Sequence, residues 1–238
     1  MKTIYHKADS RGSADHGWLN THFSFSFADY YNPERIHFGA LRVLNDDTIA
    51  AGEGFGTHPH DNMEIITIPL SGDLEHKDNM GNSGVIRHGE IQVMSAGTGI
   101  QHSEFNHNKN QELKLLQIWV YPNKKNVEPR YDQISIKDFE KENDLFQIVS
   151  PNKNDKGVWI HQDAWFYLGN LKQAWTGEYV LKGNNHGVYV FVINGKITIE
   201  NQELNMRDAL GISETKEFKI KAESDSRILL IEVPMNIN

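Results

Sequence analysis

Apolar and polar positions alternate with a period of two through much of this chain, the period of a strand with one buried face. Phe23–Phe27 (FSFSF) is one such run, and Tyr30-Tyr31-Asn32-Pro33 reads as the turn after it. Phe38–Leu44 (FGALRVL) predicts a second strand, which Asn45-Asp46-Asp47 closes with turn chemistry. Glu64–Leu70 (EIITIPL) is β-branched, and its Pro69 marks a sheet edge or a bulge. Leu74–Lys77 leads into a hairpin at Asn79-Met80-Gly81-Asn82. Gly89–Met94 and Leu113–Tyr121 predict further strands, with a glycine-rich turn at Ala96–Gly99 between them. Residues 1–22 are polar and carry no clear period.

The second half continues in the same style. Asn123–Arg130 reads as the start of a linker, and Ile136–Asn143 as a short helix with Ser135 as its N-cap. Strands resume at Val158–Gln162, Trp165–Leu168, Val188–Ile193, Lys196–Glu200, Phe218–Ile220 and Ile228–Val233. Long amphipathic helices are absent, so the pattern predicts an all-β sandwich or barrel. Ile65–Gly72 and Val188–Gly195 both run β-branched residues into a glycine turn, an echo expected of two similar β-domains in tandem. On that echo Leu181 and Gly183 stand where His58 and His60 stand in the first half, so the second half is expected to lack a metal set.

Two short clusters carry the candidate chemistry. His58 and His60 lie in GFGTHPH, and His102 and Glu104 in GIQHSEF. Residues at i and i+2 of an extended chain point to the same side. Two such pairs brought face to face surround one point with three imidazoles and a carboxylate, a set suited to divalent Fe, Cu, Ni, Mn or Zn. Glu64 is a rival carboxylate, because it shares the odd–even phase of His58 and His60. His76, His88, His107, His161 and His186 read as structural or surface residues, while His22 and His37 stand closer in sequence to the pocket-side strands. Phe23, Phe25, Phe27, Phe38 and Phe55 serve either an aromatic ligand's pocket or the core, and Arg11, Arg35 and Arg42 read as ion-pair or solvent residues.

Composition narrows the partners. The formal net charge of −8 argues against non-specific binding to nucleic acid or to an anionic membrane, which needs a basic face. The absence of cysteine removes disulfides, zinc knuckles and thiol catalysis. No stretch approaches the roughly 18 apolar residues of a membrane span, and MKTIYHKADSRGS has no signal-type apolar core. A cytoplasmic location is the simplest expectation.

The spacing Gly-x5-His-x-His-x3-Glu-x7-Gly from Gly52 to Gly72, then Gly-x7-Gly-x4-His-x3-Asn from Gly89 to Asn106, resembles the two-part cupin motif. Ser95 stands where proline is common there, and two extra residues separate Gly97 from His102. Together with SFSFADYYNP (Ser24–Pro33), FGALRVLNDD (Phe38–Asp47), MSAGTGIQHSE (Met94–Glu104), LLQIWVYP (Leu115–Pro122) and HQDAWFYLG (His161–Gly169), these features resemble the pirin family of two-cupin proteins. The resemblance implies an all-β fold of two tandem cupin barrels. The N-terminal metal-binding domain is expected over 1–122, and a C-terminal domain without ligands over 123–238. It implies one divalent metal per chain on His58, His60, His102 and Glu104, with Fe(II) first and Cu, Ni, Mn, Co or Zn as the others. The implied reaction is dioxygen-dependent opening of the central ring of a flavonol such as quercetin, with release of carbon monoxide. Glu104 is then ligand, catalytic base or both. A monomer that binds neither nucleic acid nor membrane is expected. The family also implies an alternative, a non-catalytic regulatory protein that senses metal or redox state.

Overall fold

A computed structural model of the chain describes residues 1–237. Two barrels with the same strand order stand back to back. In the first, a seven-stranded sheet runs in spatial order Arg130–Ser135, Glu90–Ser95, Glu64–Ser71, Leu113–Val120, Leu41–Ile49, Leu19–Phe23 and Gly12–Asp15. It faces a four-stranded sheet ordered Gly54–His60, Ile100–Asn106, Asp73–Asp78 and Ser83–Arg87. The second barrel repeats this with Lys2–His6, Ala209–Ser213, His186–Asn194, Ser226–Pro234, Trp165–Leu171, Leu145–Ser150 and Val158–Trp159. Its smaller sheet is Thr176–Val180, Glu217–Ala222, Lys196–Ile199 and Gln202–Asn205. Among the described residues the only helical element is the 3-10 turn Ala8–Ser10, and no helix is long and apolar enough to cross a membrane.

The period-two pattern explains the layering. Along Glu64–Ser71, Ile66 and Ile68 face the other barrel, in one cluster with Leu44, Leu116, Tyr189, Phe191 and Leu229. The alternate Thr67 turns into its own barrel. In the second barrel the inward set is Val188, Val190, Val192, Phe218, Ile228 and Leu230, a separate apolar cluster. Each large sheet is therefore buried on both faces, which is why its strands read as continuous apolar runs.

Several expectations change. The strand starting near Phe38 begins at Leu41 and runs through Asn45, Asp46 and Asp47 to Ile49 rather than turning there. Asp46 meets arginines on one face of the sheet, and Asn45 and Asp47 line a pocket on the other, so turn-forming residues persist inside a strand. FSFSF contributes only Phe23 to a strand, because Ser26 turns to accept from the Asn32 N–H (2.8 Å). The helix expected over 136–143 is one turn, with Glu140 N–H donating to Ile136 O (2.7 Å) before the strand Leu145–Ser150. Pro69 sits beside a register shift between Lys114 and Leu115 in a central strand, so it marks a bulge rather than an edge.

Two strands cross the division expected at 122/123. Lys2–His6 pairs with Ala209–Ser213 in the second barrel, and Arg130–Ser135 pairs with Glu90–Ser95 in the first. Each large sheet thus ends, on one side, in a strand from the other half of the chain. Asp46 fastens the halves further, 2.9 Å from Arg207 Nε and 3.4 Å from Arg11 Nη1.

Candidate metal centre

Gly54–His60 and Ile100–Asn106 are neighbours in the small sheet, with His58 opposite His102 and His60 opposite Ile100. Pro59 is tolerated because Gly54–His60 is the sheet's edge strand. The extended backbone sends His58 and His60 to one side, and the pairing sets His102 against them. Ring centroids lie 4.8 Å apart for His58–His60, 4.4 Å for His58–His102 and 5.0 Å for His60–His102. The tight turn leading into Ile100–Asn106 needs Gly97 at φ +50, where a Cβ would collide with the Val127 carbonyl.

The ligand atoms of His58, His60 and His102 all lie within 4.8 Å of one another. Glu104 belongs to a second trio with His102 and His76 under the same limit, so His102 joins the two. His58 Nδ1 is engaged by Gly56 O at 2.8 Å, which leaves Nε2 free for a ligand role. Glu104 Oε2 accepts from Gln117 Nε2 at 2.9 Å, and Gln117 Oε1 accepts from Thr67 Oγ1 at 3.0 Å. Both ring nitrogens of His102 and Glu104 Oε1 are buried with no hydrogen-bond partner among the described residues. Buried polar atoms left unpaired cost about 1–3 kcal/mol each, and a cation bound here would satisfy Glu104 Oε1 and one of the two His102 nitrogens, since a neutral imidazole offers a single lone pair.

Burial sets the protonation states. It lowers the His60 pKa to about 4, with His58 adding to the effect, and lowers His102 to about 2, with His58, His60 and His76 adding. Both rings are thus neutral at physiological pH, the form that ligates metals. Burial raises Glu104 to about 7 against the opposing hydrogen bond from Gln117.

Glu64 lies elsewhere. Its Oε2 accepts from Ser95 Oγ at 2.7 Å, and Arg130 Nη1 donates to the same Ser95 Oγ at 3.3 Å and to Trp159 O at 2.7 Å. Ser95, the departure from the usual proline, supplies the hydroxyl that ties Glu64 into this junction. Among the described residues Glu64 joins neither ligand trio. Burial raises its pKa to about 7.

His76, read as structural or surface, is structural: it packs behind His102 inside the barrel. It is fully buried, opposite Glu104 in register, stacked on Tyr131 at 4.7 Å and 5.4 Å from His102 between centroids. Gln92 Nε2 lies 3.0 Å from its Nδ1 and Asp78 Oδ2 3.3 Å from its Nε2. The i+2 carboxylate Asp78 was the available signal. His22 and His37 instead serve the junction between barrels: His22 feels Arg11, Asp46 and Arg207, and His37 Nδ1 contacts Gly39 O at 3.0 Å. The phenylalanines divide. Phe27 and Phe55 line a pocket of about 230 Å³ with Trp119, in front of His58, His60 and Glu104. Phe25 and Phe38 pack on Tyr189 between the barrels, and Phe23 packs on Phe27.

Two barrels of this topology, one with a His/Glu cluster in its cup, define a two-domain cupin protein with a candidate metal centre. Known proteins resemble this chain in sequence and in fold. The Pirin family model matches residues 5–120, and the model for the quercetinase C-terminal cupin domain matches residues 147–233. A quercetin 2,3-dioxygenase of Escherichia coli (strain K12) is 42% identical over 228 residues, 96% of this chain and 97% of that protein. A pirin-like protein of Caulobacter vibrioides is 36% identical over 94% of this chain and 96% of its own length. The crystal structure of the bacterial pirin YhhW from Escherichia coli, in complex with nickel(II), superposes with a TM-score of 0.93 at 40% identity, covering 98% of this chain and 99% of that one. The chain belongs to the pirin family.

Proposed function

We propose that this protein is a metal-dependent dioxygenase that opens the central ring of a flavonol such as quercetin, with dioxygen as co-substrate and carbon monoxide as a product. The observation that carries this reading is that Glu104, with an unpaired Oε1, lines with His58 and His60 a pocket walled by Phe27, Phe55 and Trp119, while His102 holds its unpaired ring nitrogens beside them. Relatives that cover nearly the whole chain carry the name quercetin 2,3-dioxygenase. His58, His60, His102 and Glu104 would hold one divalent metal, Fe(II) first among those the donor set suits. A metal there supplies Lewis acidity and an electron-transfer centre for dioxygen. Phe27 and Phe55 hold the flat substrate with its 3-hydroxyl toward Glu104. Glu104 Oε1 takes the hydroxyl proton, while Gln117 keeps Oε2 in place. The reading carries a cytoplasmic monomer, with no role for nucleic acid or membrane in an acidic chain of net charge −8.

The test is aerobic incubation of metal-loaded protein with quercetin, following flavonol absorbance and carbon monoxide. Enzyme-dependent loss of absorbance with matching gas release is expected. Flavonol binding without gas would favour the regulatory binding protein instead.

A further inference from the structure

The pocket before the candidate metal centre has a second lobe of about 280 Å³, which reaches Trp18, Thr21 and Phe23. The two lobes share Phe27, Asn45, Asp47 and Phe55 as common walls. Each lobe alone is smaller than the roughly 300–1,000 Å³ of sites for drug-sized ligands, and joined they fall within it. Asn45 and Asp47 stand at i and i+2 of Leu41–Ile49, so both point into the barrel. Thr21 pairs with Asp47 in register, and Asn45 pairs with Gln117, the residue that holds Glu104. Asn45 and Asp47 are each 4% exposed and Thr21 2%. Asn45 Oδ1, Asp47 Oδ1 and Thr21 Oγ1 have no hydrogen-bond partner among the described residues. Nothing in the proposed reaction uses them. Three unmatched polar atoms on a wall otherwise made mostly of Trp18, Leu19, Phe23, Phe27, Ala28 and Phe55 are the feature by which an apolar pocket fixes the orientation of a ligand.

We propose that Thr21, Asn45 and Asp47 form a hydroxyl-recognition point, which binds a ring hydroxyl of an aromatic ligand remote from the group that faces His58, His60, His102 and Glu104. The inference rests on the aromatic-substrate reading above and names what distinguishes one such substrate from another. A phenolic hydroxyl both donates and accepts, and this wall offers both functions. Asn45 Oδ1 accepts, and the Thr21 hydroxyl does either. Burial raises the Asp47 pKa to about 7, the facing Thr21 hydroxyl offsets part of the rise, and Asp46 adds to it. Its carboxyl therefore donates in one protonation state and accepts in the other. Phe27 and Phe55, common to both lobes, would flank the rings between the two ends.

The experiment measures equilibrium binding to nickel-loaded protein without oxygen, by quenching of tryptophan fluorescence. It compares quercetin, which carries several ring hydroxyls, with 3-hydroxyflavone, which carries only the hydroxyl assigned to the metal side. Wild type should bind quercetin more tightly. Asp47→Ala should lose about tenfold in quercetin affinity, the size of one hydrogen bond to a polar site, and change little for 3-hydroxyflavone. Asp47→Asn keeps the shape of the site and should show a smaller selective loss; it decides the matter if Asp47→Ala does not fold. Metal content and thermal melting on both variants exclude an effect through the metal. A quercetin preference that survives both variants, or an equal loss for both ligands, overturns the recognition point and leaves the substrate reading standing. Failure of wild type to bind either flavonol overturns both.

Discussion

The two barrels share strand order, and their ladders can be aligned through the turns at Gly72 (φ +80) and Gly195 (φ +85). The register then pairs His76 with Ile199, Glu104 with Ile220 and His102 with Phe218. His58 matches Tyr179 and Gln117 matches Leu230. His60 falls on Leu181, whose N–H donates to Lys216 O at 2.9 Å. The counterparts of His58 and His60 are thus Tyr179 and Leu181, two residues earlier than the sequence echo places them, because the connection after Thr176–Val180 is longer. One backbone plan carries a polar cup in the first barrel and a filled apolar interior in the second.

A buried carboxylate in each barrel deepens the contrast. In the second barrel Glu232 accepts from Tyr179 Oη (2.7 Å), Lys182 N–H (2.8 Å) and Gly183 N–H (2.9 Å), and His186 Nδ1 lies 3.0 Å away. In the first, Glu104 has one partner, and its other oxygen has none among the described residues. A fully hydrogen-bonded carboxylate is part of a scaffold. One left half-satisfied costs stability until a ligand completes it, which is the mark of a working site.

The largest effect that could undo this contrast is expected at Glu104. Glu104→Gln keeps a carbonyl oxygen toward the metal but loses the proton acceptor, so quercetin turnover should fall about 100-fold to 10,000-fold with part of the metal retained. Glu64→Gln should keep most of both, since Glu64 bonds Ser95 outside the cluster. Metal analysis and quercetin consumption on the two variants decide it, and the reverse result would overturn the assignment. The ligand histidines come next: His58→Ala or His102→Ala should remove most of about one metal equivalent per chain and leave the β signature in circular dichroism. Loss of fold in either variant would make the site a structural staple.

The second barrel should respond in the opposite sense. Ile220→Ala, at the counterpart of Glu104, should cost about 2–5 kcal/mol of stability by denaturant unfolding and leave metal content unchanged. Metal removal tests the first barrel as a whole: at a free metal concentration of 100 times Kd, loading should add about 2.7 kcal/mol, read as a higher melting temperature. An unchanged melt would count against a site built around unpaired donors. The smallest effect is expected at His76, which packs on His102 without a free nitrogen of its own. His76→Ala should weaken metal affinity about tenfold, at the low end for residues that support ligands from behind, measured by chelator competition.

Much of the site was legible along the chain because a strand aims i and i+2 together, so His58-Pro59-His60 and His102-Ser103-Glu104 announced themselves. Asn45-Asp46-Asp47 misled for a physical reason. Residues that favour turns are also those a polar barrel interior demands, and Asp46, between the two inward side chains, is held by Arg11 and Arg207 at the junction.

The resemblance to pirins supplied the two-cupin plan and the choice of Glu104 over Glu64, while the chain's own residues supplied the all-β class, the pairs His58/His60 and His102/Glu104 as candidate ligands, and the expectation that the second half lacks a metal set. What the residues supplied is local, set by period, spacing and residue type. The fold alone reveals that Lys2–His6 and Arg130–Ser135 exchange between barrels, that Glu64 turns to Ser95, that His76 stands behind His102, and that Asn45 and Asp47 face the pocket beside the candidate metal centre. Each depends on which strands become neighbours and in what register. A ladder joins residues far apart in the chain, and a shift of one residue would send every side chain to the opposite face.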